Sequence, residues 1–203
     1  MKPQEALIGV VLAAGLGSRF AKSKGGCKLT QPCGKGPQTV IEHSTAALSS
    51  ACDAVYVVTG HWRQEVSAAL GLNASRTLHA LHCPDFALGL GRSLKTAVAQ
   101  TQPSIGWLIT LGDMPYIQPE TYRQVAQALT QGALLARPFY HGRPGHPVGF
   151  SHRLREALLS IADEGGAHNI IHHRATALIR LDVDDAGCVH DLDTPEDFNA
   201  ASC

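Results

Sequence analysis

Apolar residues in this chain fall into short unbroken runs, separated by stretches where they recur every three or four positions. Leu7 to Leu12 (LIGVVL), Ala54 to Thr59 (AVYVVT) and Trp107 to Leu111 (WLITL) are such runs. They are rich in β-branched residues and predict strands buried on both faces, as in a parallel sheet. Arg76 to Leu81, Ala133 to Pro138, Pro147 to Phe150 and Leu178 to Val183 predict further strands. Between them, Gln38 to Ser50 sets Val40, Ile41, Ser44, Ala47 and Leu48 at helical spacing. Gln64 to Leu70 predicts a short helix closed by Gly71. Ser93 to Gln100, Pro119 to Thr130, Arg153 to Ile161 and Pro195 to Ala200 predict four more helices. Ser93 and Thr194 stand where N-caps are favoured, and Pro119 suits a first turn.

Strands alternating with helices predict an α/β three-layer sandwich around a mostly parallel, mixed sheet. The strands flanking the loop Tyr140 to His146 predict an antiparallel insertion. A length of 203 residues suits one domain, taken as residues 1–203. Seventeen basic residues balance seventeen acidic ones, so no broad basic face argues for nucleic acid. No stretch approaches the roughly 20 apolar residues of a membrane span, and the start MKPQEALIGVVLAAG lacks a signal-peptide shape. Cytoplasmic placement is therefore expected, with the six cysteines as reduced thiols.

Three segments carry candidate chemistry, each at the carboxyl end of a predicted strand or just before a helix, where open α/β sheets bind ligands. In LAAGLGSRF, residues 12 to 20, Gly15 and Gly17 allow a tight turn whose amides face an anion. Arg19 adds a forked donor for phosphate, and Lys22, Lys24 and Lys28 follow. The dinucleotide fingerprint is excluded because it needs glycine at Phe20, and no G-K-[ST] closes a P-loop. In LGDMP, Asp113 ends a buried strand and suits Mg²⁺, a hard cation that bridges phosphates. In DLDTPED, Asp191 or Asp193 offers a second carboxylate, while Asp193 or Thr194 also suits the cap of the last helix. Phosphoryl or nucleotidyl transfer uses such a set, since it needs positioning and charge neutralisation more than covalent help.

The chain resembles the nucleotidyltransferases of the molybdenum-cofactor type, most closely the molybdenum cofactor cytidylyltransferase group. The resemblance rests on LAAGLGSRF with Lys28-Leu29, GLGRSLKTAV (89 to 98), GDMP (112 to 115), GRPGHPVGF (142 to 150) and DLDTPEDF (191 to 198). It implies a Rossmann-like fold of the nucleotide-diphospho-sugar transferase type. It also implies Mg²⁺-dependent attack of an acceptor phosphate on the α-phosphorus of a nucleoside triphosphate. Leu12, Ala13, Ala14, Gly15, Gly17, Ser18 and Ser93 then belong to the nucleotide site. Arg19 and Lys28 bind the triphosphate, and Asp113 and Asp193 hold the metal, with Asp191 as rival to Asp193. Arg143, Gly145 and His146 face the acceptor. Ala14, where related chains carry glycine for guanine nucleotides, favours CTP.

Molybdopterin is the implied acceptor, and a molybdoenzyme or its chaperone the implied protein partner. Transfer to a sugar or alcohol phosphate, and a non-catalytic nucleotide- or cofactor-binding chaperone, are the alternative expectations. Two departures stand out. The family lysine follows the arginine by about five residues, the spacing of Lys24. AKSKGGC reads as an insertion that moves the role to Lys28. Related chains carry Gly-Ala-Arg where this one has Gly166-Ala167-His168. His168, His172 and His173 can share a helical edge, read here as a solvated or core-edge group rather than a metal site.

Overall fold

A computed structural model describes residues 6–34, 36–72, 77–103 and 105–200, with residues 199 and 200 described without their side chains. Eight strands form one sheet: β1 (Leu7–Ala13), β2 (Ala54–Thr59), β3 (Leu78–His82), β4 (Gly106–Leu111), β5 (Leu135–Tyr140), β6 (Arg143–Pro144), β7 (Val148–Ser151) and β8 (Leu178–Asp182). Strand β1 is central and runs parallel to β2 on one side and β4 on the other, and β3 extends β2 in parallel. The sheet order therefore reverses between β1 and β4, the switch point at which α/β sheets open a crevice. Strand β7 is antiparallel to both β4 and β5, as the irregular region after residue 133 predicts. Strand β8 pairs in parallel with β5 at residues that also face β7, so it takes the opposite edge.

The burial pattern of β1 explains the layers. All seven of its residues are buried, and its side chains alternate between faces. Leu7, Val11 and Ala13 enter a core with α2 (Val40–Ser49), α3 (Arg63–Ala69) and α5 (Pro119–Thr130). Ile8, Val10 and Leu12 enter a second core with α4 (Leu90–Gln100), α6 (Arg155–Leu159) and α7 (His168–His173). Gly9 sits where α2 presses closest: a β-carbon there would lie 2.9 Å from the Leu48 side chain. Helix α2 starts at a capping box, in which Thr39 and Glu42 satisfy each other's backbone amides. Among the described residues no helix is long and apolar enough to cross a membrane.

Several boundaries differ from the sequence reading. Strand β3 begins at Leu78, and Arg76 lies outside the described residues. Helix α4 starts at Leu90, earlier than Ser93, because Gly89 supplies the turn and residues 162–163 pack onto its first turn. A β-carbon on Gly91 would meet the Ala162 carbonyl at 2.1 Å, so the approach requires glycine. Arg143-Pro144 pair with β5 inside the stretch read as loop. Helix α1 (Ser18–Lys24), after the glycine loop, was not predicted, whereas α8 (Pro195–Ala200) forms where expected, with side-chain bonds at its start described below.

Candidate functional site

The loop after β1 turns at Gly17, whose φ of 58° lies in the left-handed region that favours glycine. Gly15 contributes differently, since a β-carbon there would meet nothing within 4 Å and its bareness keeps the space above open. The amides of Gly15, Leu16, Gly17 and Ser18 donate to no other backbone group among the described residues. Trp62 anchors the loop by donating its indole N–H to the Leu16 carbonyl at 3.0 Å. Helix α1 then carries the chain away, and Gly25 and Gly26, both at positive φ, turn it back. The insertion thus ends with Lys28 under the loop, while Lys24 stays exposed on α1.

Lys28 is the hub of the site. Its ammonium donates to Asp113 Oδ2 at 2.7 Å, Asp193 Oδ1 at 2.9 Å and the Leu192 carbonyl at 2.9 Å. Arg19 holds the other oxygen of Asp193 at 2.5 Å. Burial works against the charge on Lys28, yet the two carboxylates outweigh it and hold its pKa above the ordinary lysine value. Burial likewise disfavours the Asp193 carboxylate, but Lys28 and Arg19 prevail and lower its pKa.

The aspartates are placed by the backbone. Leu12 is in register with Leu111, so Gly112 and Asp113 emerge beside Ala13 and Ala14. The Gly112 amide donates to the Leu12 carbonyl at 3.0 Å. Leu192 is fully buried and its amide donates to the Asp113 carbonyl at 2.9 Å, which pins Asp191 and Asp193 to the same edge. Thr194 precedes the first residue of α8, but among the described residues neither its side chain nor that of Asp193 accepts from an amide of the helix. Asp197 reaches back instead and accepts from the Asp193 and Thr194 amides at 2.8 and 2.7 Å. That leaves the Asp193 carboxylate free for the site.

Oxygens of Asp113, Asp191 and Asp193 lie within 4.8 Å of one another. Asp113 Oδ1 is shut off from solvent and accepts no hydrogen bond among the described residues. A buried carboxylate oxygen without a donor is costly, and three clustered carboxylates suit a hard divalent cation. Geometry admits either Asp191 or Asp193 as partner to Asp113. His168, His172 and His173 gather no comparable set among the described residues and are exposed on α7.

A cavity of about 380 Å³ opens over this cluster, within the range that holds a small-molecule ligand. Every expected nucleotide-site residue, from Leu12 through Ser18 to Ser93, borders it, as do Arg19, Lys28, Asp113 and Asp193. The sequence reading missed Trp62 and Phe86, which supply aromatic walls. Their signal was position: Trp62 follows β2 at the same sheet edge as the glycine loop.

A second cavity of about 160 Å³ shares Leu12, Leu90 and Leu111 with the first. Of the three expected acceptor residues, it brings in His146 alone. Arg143 is exposed on β6, and Gly145 packs against Cys188, whose sulfur would lie 2.5 Å from a β-carbon there. Arg137, which the sequence reading did not single out, borders this cavity. Burial, reinforced by the neighbouring Arg137 charge, pushes the His146 pKa down to about 4 from 6.5. The unfolded chain then takes up this proton first as pH falls, so the folded state loses stability between pH 6.5 and about 4. The loss is expected to reach about 3 kcal/mol. Urea titrations from pH 7 to 4 check it: His146→Gln should flatten the decline, and parallel curves for the two proteins would refute the assignment.

Comparisons with known proteins bear on this edge. The family model for the MobA-like NTP transferase domain matches residues 9–178. The molybdenum cofactor cytidylyltransferase of Escherichia coli K12 is 30% identical over 196 residues, covering 95% of this chain and 93% of its own. The fold of a nucleotidyl transferase from Methanothermobacter superposes with a TM-score of 0.81 at 23% identity, over 96% of this chain and 95% of that one. The manganese complex of Rv0371c from Mycobacterium tuberculosis H37Rv gives 0.78 at 25% identity, over 97% of each chain.

Proposed function

The chain belongs to the MobA-like NTP transferase family and is a nucleotidyltransferase, and from that premise we propose that it transfers CMP from CTP to molybdopterin and releases pyrophosphate. The observation that carries this reading is Lys28, bridging Asp113 and Asp193 directly beneath a loop of unpaired amides. The Escherichia coli relative, a molybdenum cofactor cytidylyltransferase, supports the choice of acceptor and nucleotide.

In this reading the free amides of the loop and Arg19 hold the β- and γ-phosphates. Lys28 leaves its carboxylates for the α-phosphate and meets the charge that builds there. The acceptor phosphate forms a bond to the α-phosphorus as the bond from that phosphorus to the bridging oxygen of pyrophosphate breaks. A phosphate monoester carries close to two negative charges at neutral pH, so no general base is needed. Asp113, with Asp193 or Asp191, would hold Mg²⁺, which neutralises phosphate charge and fixes the geometry of displacement. Trp62 and Phe86 offer faces for the base or ribose.

Ala14 is buried and borders the cavity floor. Its methyl group is proposed to favour the smaller pyrimidine ring. Calorimetry with CTP, GTP and ATP plus Mg²⁺ should rank CTP tightest, by about tenfold or ~1.4 kcal/mol. Ala14→Gly should narrow that gap. GTP binding tighter than CTP would sink the CTP assignment. Pyrophosphate release with CTP and molybdopterin, but not with sugar phosphates, tests the acceptor.

A further inference from the structure

Ser44 is a polar member of the buried face of α2, among Val40, Ile41 and Leu48, which enter the core. It is fully buried. A hydroxyl so placed needs an acceptor, and Ser44 has two at 3.0 Å: the Val40 carbonyl one turn back and the Gly112 carbonyl. The first bond is ordinary for a serine inside a helix. The second crosses from α2 to the segment after β4 and meets the residue before Asp113.

A hydroxyl has one proton, and the two acceptors differ in need. The Val40 carbonyl already faces the Ser44 amide in the α-helical pattern. The Gly112 carbonyl belongs to a buried residue, and among the described residues no backbone amide donates to it. A buried carbonyl without a donor is costly, so the proton belongs on the Gly112 side. The Gly112 amide donates in turn to the Leu12 carbonyl at 3.0 Å. Both polar groups of Gly112 are thus held. Space is tight as well, since a β-carbon on Gly112 would lie 3.1 Å from Ile41 Cδ1 and 3.2 Å from the Ala13 β-carbon. The Gly112 carbonyl and the Asp113 amide belong to one planar peptide. Fixing that carbonyl therefore fixes the direction in which Asp113 leaves the strand. The same helix seats the other half of the ion pair: the Val40 amide donates to the Gln31 carbonyl at 3.0 Å, and the Gln31 amide to the Lys28 carbonyl at 3.2 Å. Thr45, the next residue, is a natural comparison. It is buried too, but its hydroxyl bonds stay inside α2, to the carbonyls of Ile41 at 2.7 Å and Glu42 at 3.1 Å.

We propose that Ser44 is a positioning residue for the Asp113 carboxylate, acting through the Gly112 carbonyl, so that Asp113 meets a divalent cation in one set orientation. This rests on the reading of Asp113 as a metal ligand and adds a residue to it. Ser44 borders neither cavity and touches no reacting atom.

Ser44→Ala removes the hydroxyl with almost no change of shape, and Thr45→Val does the same at the adjacent position. Each loses a buried hydrogen bond, so a purely structural effect lowers the melting temperature of both. Only Ser44→Ala should reach the site. In nucleotide-free protein, electron paramagnetic resonance titration should show Mn²⁺ bound at least about threefold more weakly by Ser44→Ala, a smaller loss than the roughly tenfold or more that follows removal of groups bonded directly to metal ligands. Thr45→Val should bind Mn²⁺ as the wild type does. The ¹⁵N resonance of the Asp113 amide, read in metal-free protein, should move in Ser44→Ala and stay in Thr45→Val, because the carbonyl of its peptide has lost a donor. Should Ser44→Ala not fold, Ser44→Cys decides, since a thiol is a weak donor and should still loosen Mn²⁺ about twofold. Wild-type Mn²⁺ affinity in the Ser44 variant, an unmoved Asp113 resonance, or an equal loss in Thr45→Val overturns the proposal. No saturable Mn²⁺ binding by the wild-type protein removes the ligand reading of Asp113 and the proposal with it. Failure of the enzymatic reading looks different: Ser44 still governs Mn²⁺ affinity, but no acceptor yields pyrophosphate from CTP.

Discussion

Asp113→Asn lowers the rate of pyrophosphate release from CTP by at least about 10³-fold, a loss of ~4 kcal/mol of transition-state stabilisation, while the protein stays folded. The change is nearly isosteric, and an amide oxygen can still accept from Lys28, so the hydrogen bond at 2.7 Å has a successor. What disappears is the charge and the second oxygen. Among the described residues Asp113 Oδ1 is buried and without a donor, which fits the proposed role of ligand to a cation. An amide at this point presents either a neutral oxygen or an N–H pair, and neither replaces a carboxylate as a ligand for a divalent ion. Steady-state release assays over a range of Mg²⁺, with circular dichroism and melting curves as the fold control, measure the effect. Near-normal metal-dependent turnover in a folded Asp113→Asn protein would remove Asp113 from the centre of the mechanism.

The parallel half of the sheet was legible because β1, β2 and β4 are apolar on both faces, and an unbroken β-branched run has few alternatives. The edge proposed to bind phosphate was legible for the same reason: Gly15, Asp113 and Trp62 all follow closely after such runs. Helix α1 was not legible. It spans SRFAKSK, and Phe20 is its one buried residue, so no apolar period marks it. At α8 the position of Thr194 before the first turn was legible, but the reach of Asp197 back to the Asp193 and Thr194 amides was not, since it depends on the turn that the helix start makes. The side proposed to take the acceptor was the least legible. Arg137 lies in the run LARPFY, where nothing in the sequence separates a half-buried arginine from a solvated one. Its neighbour in space, His146, was found through its motif, but Arg143 and Gly145 of that motif serve the hairpin and its packing.

Lys28→Ala abolishes turnover by at least about 10²-fold, while Lys24→Ala leaves it within about twofold of the wild type. Removing a donor that meets transition-state charge costs on the order of 3 kcal/mol. The two lysines differ in what holds them. Lys24 is exposed in the last turn of α1. Lys28 is 10% exposed and has three oxygen partners, two of them the carboxylates that would hold a metal. The same contacts set up a second, opposite effect. An ammonium and a divalent cation compete for Asp113 and Asp193, so the metal-free protein keeps Lys28 where the ion would go. Its removal should therefore strengthen binding of Mn²⁺ in the absence of nucleotide, even as catalysis is lost. Electron paramagnetic resonance titration of Mn²⁺ reads the first effect and pyrophosphate release the second. Asp113→Asn should weaken both, which separates a ligand from a competitor. A silent Lys28→Ala with an inactive Lys24→Ala would move the phosphate lysine back to the spacing typical of the family. Loss of turnover together with weaker Mn²⁺ binding in Lys28→Ala would instead mean that Lys28 organises the carboxylates for the ion rather than competing with it.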